Sequence, residues 1–370
     1  MKKKILVACN DPGGTMACLP VIKRLICDNN VYTSIYAGGS AQNIFSSENI
    51  PFKTFPLNRI YKKDLWKIED LLNKEKPDLV FTSTSFGKVI DNAVLFAAIK
   101  KEIKTFVLLD QWCNYSQRFR VYTPNRNYEY LPNFIGVMDE YAKSEMIKEG
   151  FPPERLITMG HPYFDSIIMQ KRRLSAEERL NFKKEYNIDT RSILVIFASE
   201  PLHRGDLKRI GYTDIKIANQ LIRAIESISQ ETRKKITLLI KIHPRDERSD
   251  TAFPINTGKN VRILLVRGGQ ATKFILNADI VAGMSSIFLL ESFLLGKPTL
   301  SIQIGSKIED ALITSKIGLT KTIKSYPELY NALNQIVTGG SKVKVKKANK
   351  EFPWLDGKST ERALSFIKRM

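Results

Sequence analysis

Residues 278–303 read ADIVAGMSSIFLLESFLLGKPTLSIQ, and the reading of the fold starts from them. Ile280 to Ala282 is an apolar run of strand type. Gly283 permits a tight turn, and Ser285-Ser286 open a helix predicted to reach Leu295. Gly296-Lys297-Pro298 stops that helix, and Thr299 to Ile302 starts the next strand. A helix start carries free N–H groups and the positive end of the dipole, and two hydroxyls add donors. This is an anion site suited to a phosphate. One serine there is also an ordinary helix cap. Glu291 tips the balance. It lies on the same apolar helix where packing favours an apolar residue, and a carboxylate there can accept the two ribose hydroxyls of a nucleotide.

The same alternation runs along the whole chain. In the first half, strands are predicted at Lys4–Cys9, Val31–Ala37, Leu79–Thr84, Thr105–Asp110 and Phe134–Met138. Helical periods at Met16–Cys27, Tyr61–Lys76 and Val89–Ile103 lie between them. The second half repeats the plan with strands at Ser192–Ala198, Ile236–Ile242 and Val261–Val266, then the two strands above, and a helix at Asp214–Gln230. Buried apolar runs alternating with amphipathic ones predict parallel sheets covered on both faces. The expected fold class is therefore α/β, with two doubly wound, Rossmann-like domains facing each other across a cleft. The expected division is a first Rossmann-like domain at 1–170, a charged linker at 171–190, a second, nucleotide-binding one at 191–352 and a crossing helix at 353–370. That helix carries an apolar stripe, Ala363, Leu364 and Ile367, to pack back on the first domain.

Composition narrows the function classes. The chain has 370 residues and is 43% hydrophobic, enough for two cores. No apolar run reaches the roughly 20 residues of a membrane span. Behind the basic start the apolar run is only Ile5 to Cys9, too short for a signal peptide, so a cytoplasmic protein is expected. Cys9, Cys18, Cys27 and Cys113 show no CxxC spacing and read as buried thiols. No His/Cys cluster and no DxD occurs, so no metal or cofactor is expected. A formal charge of +20 favours anionic partners. No nucleic-acid module is visible. The basic runs Lys171-Arg172-Arg173 and Lys342, Lys344, Lys346, Lys347 and Lys350 are either solvated faces or a peripheral contact to an anionic membrane.

Open parallel sheets bind ligands beyond the carboxyl ends of their strands, so the loops after strands carry the candidates. Leu238 to Glu247, LLIKIHPRDE, ends a strand in Lys241 and His243-Pro244-Arg245. The proline fixes a turn, and the histidine can donate to a phosphate oxygen. The His-Pro turn, the later Gly turn with Ser285-Ser286, the helix with Glu291 and Gly-Lys-Pro resemble the nucleotide-binding domain of GT-B-fold glycosyltransferases. The similarity is to polysialyl- and Kdo-transferases and glycerophosphotransferases, which use cytidine-activated donors. It implies that His243 and the paired serines hold donor phosphates. The chain also resembles, more distantly, UDP-N-acetylglucosamine 2-epimerases, which have Ser-Gly-Gly where this chain has Met284-Ser285-Ser286. A third loop, Ile196 to Asp206, follows a strand and offers Ser199 and Glu200 to the base or ribose and Arg204 to a phosphate.

The first half is expected to hold the acceptor and the base. Asp11-Pro12-Gly13-Gly14 follows the first strand, and its glycines let a ligand approach the backbone. Asp110 ends a buried strand beside Trp112, Asn114, Tyr115 and Arg118, a set suited to a sugar. His161 would line the cleft. Transfer of a sugar needs a base, Asp11 or Asp110, and positive groups on the departing phosphate, His243 with Lys241 or Arg245. The leading expectation is a metal-independent glycosyltransferase of surface-polysaccharide synthesis. Its substrates would be a nucleotide sugar, CMP-linked ahead of UDP-linked, and a glycan or glycolipid acceptor. A sugar-nucleotide 2-epimerase or hydrolase and a non-catalytic binder of an anionic polymer are the alternatives.

Overall fold

A computed structural model describes residues 2–123, 130–171, 174–202, 206–243, 246, 248, 253, 260–310, 312–339 and 352–370. The chain divides into two compact units, Met1–Ser166 with Lys347–Met370, and Ile167–Lys346.

The first unit starts with β1 (Lys3–Cys9), α1 (Pro12–Ile26), β2 (Val31–Ala37), α2 (Gly39–Ser47) and β3 (Lys53–Thr54). It continues through α3 (Leu65–Glu75), β4 (Leu79–Thr82), α4 (Ile90–Lys100), β5 (Lys104–Leu108) and α5 (Tyr115–Phe119). β6 (Phe134–Val137), α6 (Glu140–Lys148) and β7 (Leu156–Thr158) follow. Its seven strands are all parallel, in the order β3-β2-β1-β4-β5-β6-β7. β1 is central because it is apolar on both faces, and Leu6, Val7, Ala8 and Cys9 are wholly buried.

α7 (Pro162–Met169) leads into the second unit. There α8 (Ala176–Glu185), β8 (Ile193–Ala198), α9 (Asp206–Ile210), α10 (Asp214–Thr232), β9 (Ile236–Ile242) and β10 (Val261–Arg267) come first. α11 (Ala271–Asn277), β11 (Ile280–Gly283), α12 (Ile287–Leu294), β12 (Thr299–Ile302), α13 (Ile313–Lys316), β13 (Thr322–Ile323) and α14 (Tyr326–Val337) complete it. Six parallel strands run β10-β9-β8-β11-β12-β13. The segment between the sheets is thus not all linker: Ser175 caps α8 with a reciprocal Glu178 capping box.

The last helix, α15 (Ser359–Arg369), packs on α1 of the first unit. Ala363, Leu364 and Ile367 enter the core formed by Ile5, Val7, Leu25 and Phe106. The Asp165 carboxylate accepts the Ser359 and Thr360 amides at 3.1 and 2.6 Å and so starts that helix. Trp354, just before it, is fully buried.

One expectation changes. Cys9 and Cys18 are buried, but Cys27 and Cys113 are exposed, because each falls past the end of an apolar face. Among the described residues no helix is long and apolar enough to cross a membrane. Arg172, Arg173 and the run from Lys342 to Lys350 lie outside the described residues.

Candidate functional site

Both sheets reverse their winding beside their first strand, between β1 and β4 and between β8 and β11. Ligand crevices of doubly wound sheets lie at such points, and both units gather polar side chains there.

In the second unit, the carboxyl ends of β8, β9 and β11 border a pocket of about 280 Å³, near the lower end of the roughly 300–1,000 Å³ typical of small-molecule sites. Ser199, Lys241, His243, Ser286, Phe288 and Glu291 line it. Ser199 Oγ accepts the His243 amide at 3.0 Å and so ties the His-Pro loop to the end of β8. Lys241 is buried at the end of β9. Its Nζ donates to the Gly268 carbonyl at 2.7 Å and lies 5.1 Å from the centre of the Phe274 ring. Burial lowers its pKa from the ordinary lysine value. Glu291 is 4% exposed. The Ser286 hydroxyl is buried and has no hydrogen-bond partner among the described residues. A cation, an unpaired donor and a carboxylate in one small pocket can take a phosphate and a vicinal diol together.

The start of α12 is wired differently from the expectation. Glu200 holds the turn that leads into it. Its carboxylate accepts the Ser285 amide at 2.7 Å and the Ser285 hydroxyl at 3.2 Å. Burial pushes the Glu200 pKa up, and the amides of Ser285 and Ser286 hold it back. The anion that this helix start attracts is supplied by the chain itself. Gly283 ends β11, where an added Cβ would stand 3.2 Å from the Ala198 carbonyl oxygen, so it serves close strand packing. Pro244, Arg245 and Arg204 fall outside the described residues. The His243 loop has a further anchor that sequence reading missed. Arg248 pairs with Asp246 in the loop and with buried Asp214 at the start of α10, both at 2.5 Å. Two acids and one arginine in RDER and TDI carry no local signal of that contact.

In the first unit, the loops after β1, β4 and β5 converge. Asp11 accepts the Phe86 amide at 2.9 Å through Oδ2 and the Asn10 side chain at 2.8 Å through Oδ1, and its own amide donates to Ser85 Oγ. Asp110 is buried. Its Oδ1 accepts Thr84 Oγ1 at 2.7 Å and Arg118 at 2.6 Å. Arg118 is therefore one half of a buried ion pair rather than an open sugar contact. Burial raises the Asp110 pKa, and Arg118 opposes the rise. Gly13 and Gly14 admit the chain itself. A Cβ on Gly13 would stand 2.5 Å from Asp110 Oδ2, and one on Gly14 2.6 Å from the Thr84 carbonyl.

Trp112 also differs from the expected sugar platform. Its indole N–H donates to Asp139 at 2.8 Å, and its ring stacks on Phe164 and His161. His161 is 3% exposed and contacts the Asp110 carbonyl at 3.2 Å. Burial lowers its pKa to about 4, so the ring is neutral. Tyr115 is buried as well, and Asn114 is exposed in a left-handed turn at the start of α5.

Sequence reading also missed Asp91. It is wholly buried at the start of α4, and Ser83 and Ser85 both donate to its Oδ2 at 3.0 and 2.5 Å. Burial raises its pKa to about 7, the serines pull against this, and Asp11 adds to it. The available signal was Thr82-Ser83-Thr84-Ser85, four hydroxyls directly after an apolar strand.

No curated protein matches the chain by sequence. Solved structures share its architecture at low identity. UDP-GlcNAc 2-epimerase from Neisseria meningitidis, bound to UDP-GlcNAc, aligns with TM-score 0.67 at 14% identity over 99% of this chain and 100% of that one. The enzyme of the same name from Methanocaldococcus jannaschii aligns with TM-score 0.70 at 18% identity over 99% and 100%. MurG from Acinetobacter baumannii aligns with TM-score 0.60 at 13% identity over the full length of both chains. The two Rossmann-like domains are thus those of the GT-B-like architecture. A family model described as UDP-N-acetylglucosamine 2-epimerase matches residues 133–368. The match falls on the more distant of the two resemblances, not on the polysialyl- or Kdo-transferases. With well over half its length covered, the chain belongs to the UDP-N-acetylglucosamine 2-epimerase family.

Proposed function

We propose that this protein acts on a UDP-linked N-acetylhexosamine and inverts the sugar at C2. The observation that carries the reading is the pocket at β8, β9 and β11. It places the unpartnered Ser286 hydroxyl with Lys241, His243 and Glu291 in a chain of the epimerase family. Lys241, His243 and the Ser286 hydroxyl bind the diphosphate and stabilise charge on it. Glu291 accepts the ribose hydroxyls. Ser199 and Glu200 hold the His243 loop and the α12 start in place. A base takes the C2 proton, the C–H electron pair forms a C1–C2 double bond as the C1–O bond to UDP breaks, and an acid returns a proton to the other face of C2 as UDP adds back to C1. Asp11 is the candidate for the first role. Asp110, fixed by Arg118, serves better to position its neighbours.

The test is incubation with UDP-N-acetylglucosamine and no acceptor in heavy water, followed by proton NMR. Deuterium at C2 and appearance of the 2-epimer are expected, with both lost in Asp11→Ala. UDP at about 100 times its Kd should also stabilise the fold by about 2.7 kcal/mol. Absence of exchange together with absence of a UDP shift defeats the proposal.

Ser285-Ser286 in place of Ser-Gly-Gly favours a second reading, transfer from a CMP-linked donor to a glycan acceptor. It predicts stabilisation by CMP over UDP and no exchange at C2.

A further inference from the structure

The first unit carries an aromatic and basic surface whose residues do not line the pocket of the second unit. Residues 59–67, RIYKKDLWK, lead into α3. The Ile60 amide donates to the Lys88 carbonyl at 2.7 Å, which joins this segment to the loop after β4. Ile60 is fully buried and anchors it. Around that anchor three aromatic side chains face water: Tyr61 at 44% exposure, Trp66 at 62% and Phe86 at 44%. Arg59, Lys62, Lys63 and Lys88 are exposed among them, and Lys67 is half-buried. The one acid in the segment, Asp64, is turned to the backbone and accepts the Tyr61 amide at 3.1 Å.

Exposed Trp and Tyr earn nothing from the fold, and a positive charge beside each gives the patch one sign. Amphipathic rings at headgroup level and lysines on lipid phosphates make the usual contact of a protein with an anionic bilayer. Single-stranded nucleic acid also uses basic and aromatic side chains, but it needs open ring faces for stacking. Here Lys67 Nζ lies 5.6 Å from the Trp66 ring centre and Lys88 Nζ 5.2 Å from the Tyr61 centre, so one face of each ring already carries an ammonium. We infer that the surface built from Arg59, Tyr61, Lys62, Lys63, Trp66 and Lys88 docks the protein on an anionic lipid bilayer. This inference is independent of the nucleotide pocket.

The test is flotation of the full chain with vesicles of phosphatidylcholine alone and with roughly 30% phosphatidylglycerol, in rising salt. Binding is expected only to the anionic vesicles and is expected to fade by about 0.5 M salt. Lys62→Glu with Lys63→Glu, and separately Trp66→Ala, should each weaken it about tenfold or more while far-UV circular dichroism stays unchanged. If Trp66→Ala loses structure, Trp66→Phe replaces it: a blue shift of emission on vesicles in the wild type should be absent in that variant. The inference is overturned if the wild type ignores anionic vesicles or if both variants bind as it does. It is equally overturned if a single-stranded oligonucleotide binds more tightly through the same residues.

Discussion

The Glu200 carboxylate rests on the amides of Ser285 and Ser286, just before α12, so the turn into this helix reaches the pocket already partnered with an anion. Two negative groups competing for one set of donors would repel each other. On the proposed reading, the Ser286 hydroxyl, Lys241 and His243, which line the pocket, take the diphosphate. Asp91 poses a related problem in the first unit, since it is a carboxyl sealed from water with only two serines and its neighbour's amide to solvate it. Its pKa is raised from 3.8 to about 7, with Asp11 the charged group facing it. A carboxyl whose folded pKa lies above its unfolded one stabilises the fold at low pH and loses that contribution as pH rises through the folded value. Asp91→Asn should therefore gain stability relative to the wild type between about pH 4 and 7 and level off above. The ceiling is about 4 kcal/mol, at about 1.4 kcal/mol per tenfold change in proton affinity. Paired urea titrations across pH measure it, and a difference that does not change with pH rejects it. His161 titrates in the opposite direction, but it does so in both proteins and cancels.

At the scale of elements, Asp139 joins three pieces of chain. It caps α6 by accepting the Ala142 amide at 2.8 Å, and it accepts both the Trp112 and Trp354 indoles. Asp139→Ala removes the cap, worth about 1 kcal/mol, and leaves the buried Trp354 donor unpaired, worth about 2 more. A loss of about 3 kcal/mol is expected in urea unfolding. Asp139→Asn should recover part of it, since its oxygen can still accept one indole. A change below about 1 kcal/mol for the alanine variant would mean water replaces these bonds.

For the whole molecule, each unit has its own core. All three tryptophans, Trp66, Trp112 and Trp354, lie in the first unit. Tryptophan emission thus reports that unit, while far-UV circular dichroism averages both. Ile367 is fully buried in the first core, and Ile367→Ala should cost about 3 kcal/mol there. The emission-detected transition should move to lower urea by more than the dichroism-detected one. Equal movement of the two would show a single cooperative unit instead.

Local pattern carried much of this protein. Val31–Ala37, Ile236–Ile242 and Thr299–Ile302 form strands over the very residues expected, because each is rich in β-branched and apolar residues, is buried toward its carboxyl end and stops at a loop. The α12 region was legible for the same reason, with Ser286 before it and Gly296 after it. The edge strands β3, β7 and β13 were not legible. They span two or three residues, and only hydrogen bonds to a neighbouring strand make them strands. At the candidate site the sequence determined which residue types stand at strand ends, Ser199, Lys241 and His243, and which on the helix that follows β11, Ser286 and Glu291, since position after an apolar run is a local property. Tertiary structure alone decided their partners. Glu200 meets Ser285 across 85 positions, Trp354 meets Asp139 across 215, and Gly13 leaves space for the Asp110 carboxylate. Such pairings depend on which strands lie side by side and how closely their loops pack, and no local periodicity encodes that distance.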